Sequence, residues 1–113
     1  MIKVYIASPY TEGDTALNIR DQINAFRALL NLGYIPFAPL LCHFVHIVHR
    51  QPYDKWIAYG EEWVKVCDVV LRLSGESKGA DNEVRLAESL NIPVVRSVPE
   101  LIHRHPARVE KTG

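Results

Sequence analysis

The sequence predicts one α/β domain: a parallel sheet in strand order 2-1-3-4 with helices on both faces. Three observations lead there. Short apolar runs alternate with segments of helical spacing along the whole chain, the pattern of a parallel sheet built from β-α units. The run "DVVLRL" is apolar without alternation, as suits a strand covered on both sides. And 113 residues suffice for one core and no second catalytic domain.

The elements follow in order. "IKVYIA" is a β-rich run ended by Ser-Pro. "YTEGD" is a loop, with Asp14 or Thr15 as N-cap of a first helix whose apolar stripe is Ile19, Ile23, Phe26 and Leu30. Gly33 stands where that helix should end. The two prolines of "YIPFAPLL" restrict it to a short edge strand plus a loop. "CHFVHIVHRQPYDKW" holds a short helix and an irregular stretch. Trp56, Tyr59, Trp63 and Val66 then form a helical stripe. "DVVLRL" is the third strand, and "LSGESKGADNE" a loop leading into a helix with Val84, Ala87 and Leu90 on one face. "IPVV" is the fourth strand and "VPELIH" a last short helix. Residues 1–105 make the domain; 106–113 are polar and expected to be a disordered tail. Right-handed crossovers and two-sided helix cover make this a flavodoxin/Rossmann-like three-layer sandwich. Its crevice lies beyond the carboxyl ends of strands 1 and 3, at "ASPYTEGD" and "LSGESKGADNE".

Composition narrows the function classes. Thirteen basic residues balance thirteen acidic ones, which argues against nucleic-acid binding through a basic face. No apolar run reaches the roughly 18 residues of a membrane span, and "MIKVYIASPY" turns polar too soon for a signal peptide. Cys42 and Cys67 are isolated and read as reduced thiols of a cytoplasmic protein. The loop "SGESKGA" has neither the Gly-Lys-Ser/Thr end of a Walker loop nor G-x-G-x-x-G, so no cofactor is expected. His43, His46 and His49 step by three residues, but their spacing is not H-E-x-x-H and no cysteine pair completes a set; no metal is expected.

At the crevice, Ser74, Ser77 and Gly79 offer hydroxyls and close backbone approach, and the following helix start offers N–H groups, a combination suited to a phosphate or a sugar hydroxyl. With Ala80 as N-cap, Glu83 sits at N3, where an acid is an ordinary helix-start charge. Tyr5 on strand 1 is either core or a hydrogen-bond partner for a carboxylate. Ser8, Tyr10 and Thr11 after it could grip an anion or a ribose. Asp14 reads as a cap, and Asn18 meets substrate or solvent. Arg72, inside an apolar strand, needs a partner, and an interface ion pair would satisfy it. Trp56 and Trp63 read as core or interface.

"VYIASPYTEGD" followed by a helix, then "CDVVLRLSGESKGADNEVRLAESLNIPVV", resembles the nucleoside 2-deoxyribosyltransferase-like superfamily, which includes the transferases and the nucleoside 5′-monophosphate N-glycosidases. The resemblance runs in order over residues 1–95. Its specific part is an acid opening strand 3, then Gly-x-x-x-Glu-Val and an alanine four residues after the glutamate: Asp68, Gly79, Glu83, Val84 and Ala87, with Tyr5 in strand 1. The resemblance implies that Glu83 is the nucleophile on the anomeric carbon and that Tyr5 orients it, the chemistry of a retaining glycosidase. Water as acceptor gives hydrolysis; a second base gives transfer. Where the transferases carry an aspartate for the 5′-hydroxyl this chain has Ser77, as the nucleotide hydrolases do, which implies a 5′-monophosphate. A further family aspartate, which protonates or positions the leaving base, aligns with Gly60. Asp54, Glu61 or Glu62 could substitute, and Asp54 is the expected one, although it also reads as a helix N-cap. His43 is expected to contact the base. The expected partner is thus a small nucleotide or nucleoside, with no nucleic acid and no membrane. The resemblance implies a homodimer or larger homo-oligomer. Base exchange, or nucleotide sensing without catalysis, are the alternatives, the latter because of Gly60.

Overall fold

The computed structural model describes residues 1–107. Four parallel strands, β1 (Lys3–Ala7), β2 (Ile35–Phe37), β3 (Val69–Arg72) and β4 (Val94–Val95), form one sheet in the order β2-β1-β3-β4. They alternate with α1 (Thr15–Asn31), α2 (Cys42–Val48), α3 (Tyr53–Val66), α4 (Lys78–Ser89) and α5 (Val98–Arg104); a 3₁₀ turn, Pro39–Leu41, precedes α2. The expected strand order and layering are both observed.

Strand alternation sorts the core into two layers. Val4 and Ile6 of β1 join Val69 and Leu71 of β3 on the face covered by Leu29 of α1 and Leu101 of α5. Tyr5, Ala7 and Val70 point the other way, toward Val64 of α3 and Ala80, Val84 and Ala87 of α4. Every residue of β3 is buried, as expected for a strand covered on both sides. Tyr5 therefore faces the α4 layer, where Glu83 also lies.

Helix phases differ from the expected stripes in instructive ways. Asp14 caps α1, its carboxylate accepting from Leu17 N at 3.1 Å. The buried line is then Ile19, Gln22 and Leu29, with Phe26 half-buried, while Leu30 is 54% exposed. Sequence hydrophobicity misplaces the stripe because Gln22 is polar yet fully buried. On α3 the buried positions are Gly60 and Val64, and the aromatic stripe lies on a half-exposed flank. Leu90 ends α4 as a C-cap residue and is 44% exposed.

The largest correction concerns the start of α4. Ser77, not Ala80, is its N-cap: Ser77 Oγ accepts from Ala80 N at 3.0 Å. A serine oxygen can take an orphan N–H and an alanine cannot. The helix thus begins three residues earlier, and Glu83 belongs to its second turn, not to N3. Within α5, Ser97 caps in the same way. Tyr34 Oη donates to His105 O at 2.7 Å, and Ala107 packs against the first core layer. The rest of the expected tail, 108–113, lies outside the described residues.

Candidate active site

The carboxyl end of β1 opens onto a cleft of about 720 Å³, walled on one side by the start of α4 and on the other by α2 and the first turns of α3. At its floor the Tyr5 hydroxyl donates to Glu83 Oε2. Tyr5 is 1% exposed, its ring held against Phe37 at 5.6 Å, and Phe37 stacks on Trp63 at 4.7 Å. Burial pushes the Glu83 carboxyl up to about 8, because a desolvated carboxylate is costly. The Tyr5 hydroxyl, which favours the ionised form, acts against that rise.

Gly60 explains how α3 passes so close to this pair. A Cβ there would stand 3.0 Å from Tyr5 Oη and 3.9 Å from Glu83 Oε2. The position that the resemblance matches to a family aspartate is therefore against the Tyr5–Glu83 pair, and it is bare.

Seven of the expected residues border this cleft: Tyr5, Ser8, Tyr10, His43, Ser77, Gly79 and Glu83. The Tyr10 hydroxyl and His43 Nδ1 are hydrogen-bonded to each other. Ser77 is buried, so its hydroxyl serves the helix cap from inside the cleft wall. Glu12 of the first loop crosses to the same helix start, its Oε1 accepting from Lys78 N at 3.0 Å.

Four expected residues are elsewhere. Thr11 is exposed and outside the cleft lining. Asn18 turns back on its own loop, donating to Tyr10 O and Glu12 O at 2.9 Å each. Asn18 and Ser74 instead border a smaller cleft of about 340 Å³. Asp54 is exposed in the first turn of α3 and does not border the cleft; the N-cap is Pro52, without a side-chain bond. Because α3 begins at Tyr53, Asp54 fills neither the capping position nor a place beside Glu83. Arg72 needs no interface partner: it pairs with Asp81 at 3.1 Å and donates to Gly75 O at 2.8 Å and to Leu73 O. It thereby clamps the loop between β3 and α4. Gly75 is obligatory in that loop, with φ +114° and a Cβ position 2.8 Å from Pro9 Cγ.

One feature escaped the sequence reading. Gln22 donates to Ile6 O at 3.1 Å and Ser8 Oγ at 2.8 Å, and its Oε1 accepts from Leu40 N at 2.8 Å. It ties the end of β1 to the turn before α2, and Ser8 and Leu40 both border the cleft. A glutamine three residues after Ile19 on a helix is a weak signal of that role. Gln22→Ala should cost about 1–3 kcal/mol in urea unfolding, since two buried partners and one part-buried partner lose their bond; a cost under half of that would contradict the tie. Of the three histidines weighed in the sequence, His46 borders the cleft from α2 as well as His43. Among the described residues no group of three or more His, Cys, Asp or Glu is placed to hold a metal ion.

The fold has a solved example. The 2-deoxyribosyltransferase from the psychrotolerant bacterium Bacillus psychrosaccharolyticus superposes with a TM-score of 0.64 at 21% identity, over 81% of this chain and 69% of that one. At that identity the likeness shows the fold. The chain itself belongs to the family described as a domain of unknown function, DUF7768, whose model matches residues 2–97. No curated protein matches it.

Proposed function

We propose that this protein cleaves the base–sugar bond of a (deoxy)nucleoside 5′-monophosphate. The observation that carries the reading is the Tyr5–Glu83 pair on the floor of a nucleotide-sized cleft, beside the capped start of α4. The ionised Glu83 carboxylate attacks C1′; the C1′–N bond breaks, and its electron pair leaves with the base, which takes up a proton. Water then attacks C1′ of the glycosyl-enzyme and breaks its bond to Glu83, releasing the sugar phosphate and the free carboxylate; the proton the water loses to solvent balances the one the base took up. A second base in place of water would give base exchange. Tyr5 orients the carboxylate throughout. Ser77 and Gly79 receive the phosphate end, where a carboxylate side chain would repel it.

The bare Gly60 favours one second reading: a nucleotide-binding protein without turnover, since no side chain there delivers a proton to the base. The solved neighbour is named as a 2-deoxyribosyltransferase, which supports glycosyl chemistry as the first reading. Two free thiols, Cys42 and Cys67, fit a reducing cytoplasm. Exposed apolar residues on α2 and α3, among them Phe44, Val48 and Tyr53, fit a homo-oligomer. No described helix is long and apolar enough to cross a membrane.

The test is base release from nucleosides and 5′-monophosphates, with and without a free acceptor base. Monophosphates should be the better substrates. Ser77→Asp keeps a good N-cap but sets a negative charge where the phosphate belongs, so it should lower kcat/KM for monophosphates by about 100-fold while sparing nucleosides. A wild-type preference for nucleosides would refute the phosphate assignment, and tight binding without release would establish the second reading.

A further inference from the structure

The wall of the cleft away from α4 contains a hydrogen-bond donor whose chemical state is set by its neighbours. His46 Nδ1 receives the indole N–H of Trp56 at 2.8 Å and the backbone N–H of Gln51 at 3.2 Å. Both groups can only donate. Nδ1 must therefore offer its lone pair, and the proton of the neutral ring resides on Nε2. The same two bonds hold the ring plane, with Trp56 packed edge-on at 6.0 Å. His43 differs: its partner is the Tyr10 hydroxyl, which can donate or accept, so its tautomer is free to change. Among the described residues no hydrogen bond to His46 Nε2 is found, and His46 is a half-buried residue that borders the cleft together with Arg50, Gln51 and Trp56.

We propose that the corner between α2 and α3 is the subsite for the base, and that His46 reads it as a fixed donor, selecting a base with a carbonyl oxygen at the contacted edge over one with an amino group. This rests on the nucleotide reading above for the ligand but not on hydrolysis. With the phosphate end at Ser77 and Gly79 and the anomeric carbon at Glu83, the remaining wall is the one that meets the base. An amino group opposite Nε2–H sets donor against donor and leaves both without a partner, whereas a carbonyl accepts.

The experiment measures dissociation constants of inosine against adenosine 5′-monophosphate, and of uridine against cytidine 5′-monophosphate. It uses the Glu83→Gln protein, so that turnover does not intrude. At least one carbonyl-bearing member should bind about tenfold more tightly than its amino counterpart. His46→Asn should erase that preference: the Asn Oδ1 can still accept from Trp56 and Gln51, but its amide nitrogen falls short of the Nε2 position. Independently of any variant at 46, ¹⁵N NMR of the wild-type ring should show the proton on Nε2. Equal binding within both pairs, a preference that survives His46→Asn, or a ring proton on Nδ1 would overturn the assignment. Failure of every nucleotide to bind would overturn it together with the nucleotide reading. Discriminating binding without base release by the wild-type protein would sink hydrolysis and uphold His46.

Discussion

Glu83→Gln should reduce base release by about six orders of magnitude, on the scale found when a nucleophile acting as one unit with its partners is removed. The substitution keeps shape and can still accept from Tyr5, so binding should survive. Wild-type kcat/KM should itself depend on pH in a telling way. In the proposed mechanism the free protein must lose the Glu83 proton before attack, and burial holds that carboxyl at about 8. The rate should therefore climb about tenfold per pH unit below that value and level off above it. Stability runs in the opposite sense. Between the ordinary value of 4.5 and about 8 the folded protein holds a proton that the unfolded chain has lost. Wild-type stability must fall as pH rises through that window. Glutamine has no proton to lose, so the variant should match the wild type near pH 5 and exceed it above pH 8 by on the order of 3 kcal/mol, allowing for relaxation around the charge. Urea unfolding of both proteins at the two pH values measures it. Undiminished release would eliminate Glu83 as nucleophile; parallel stability curves would show that the carboxyl is ordinarily solvated.

Gly60→Ala should cost about 100-fold in kcat/KM with little change in stability. The new methyl would lie 3.0 Å from Tyr5 Oη, closer than such contacts settle. Tyr5 cannot yield readily, since it is fully buried and packed against Phe37. The hydroxyl must give by a few tenths of an ångström beside Glu83, and a misplaced nucleophile loses rate steeply. Alanine offsets the strain in the fold, being about 1 kcal/mol better than glycine inside a helix. Tyr5→Phe separates the causes, because it removes the hydroxyl without crowding. If the two variants lose activity alike, the Tyr5–Glu83 bond is what Gly60 protects. Full activity of Gly60→Ala would mean that the pair tolerates displacement.

The fold, and seven of the residues that border the candidate cleft, are legible in the sequence. Strand periodicity, the uninterrupted apolar run of β3 and the Ser-Pro end of β1 depend on local geometry, and they led to the right sheet order and crevice. Tyr5 and Glu83 were both picked out, although only register shows that they meet: Tyr5 faces the α4 layer because its neighbours Val4 and Ile6 face the other. Local reasoning failed where a polar group is satisfied by distant partners. Gln22 looks like a solvent-facing break in an apolar stripe until Ile6, Ser8 and Leu40 surround it. Arg72 looked unpaired because Asp81 and Gly75 reach it only after the loop has folded back.

The amino-acid sequence by itself determined the α/β alternation, the parallel sheet and the two loops that meet at its switch point, because these follow from side-chain periodicity and turn chemistry a few residues long. Tertiary structure alone decided that Ser77 rather than Ala80 begins α4, that Asp54 stays outside the cleft, and that bare Gly60 lies against Tyr5 and Glu83. Those outcomes depend on where a helix starts and on what packs beside it, and a shift of one or two residues turns a side chain from one face to another.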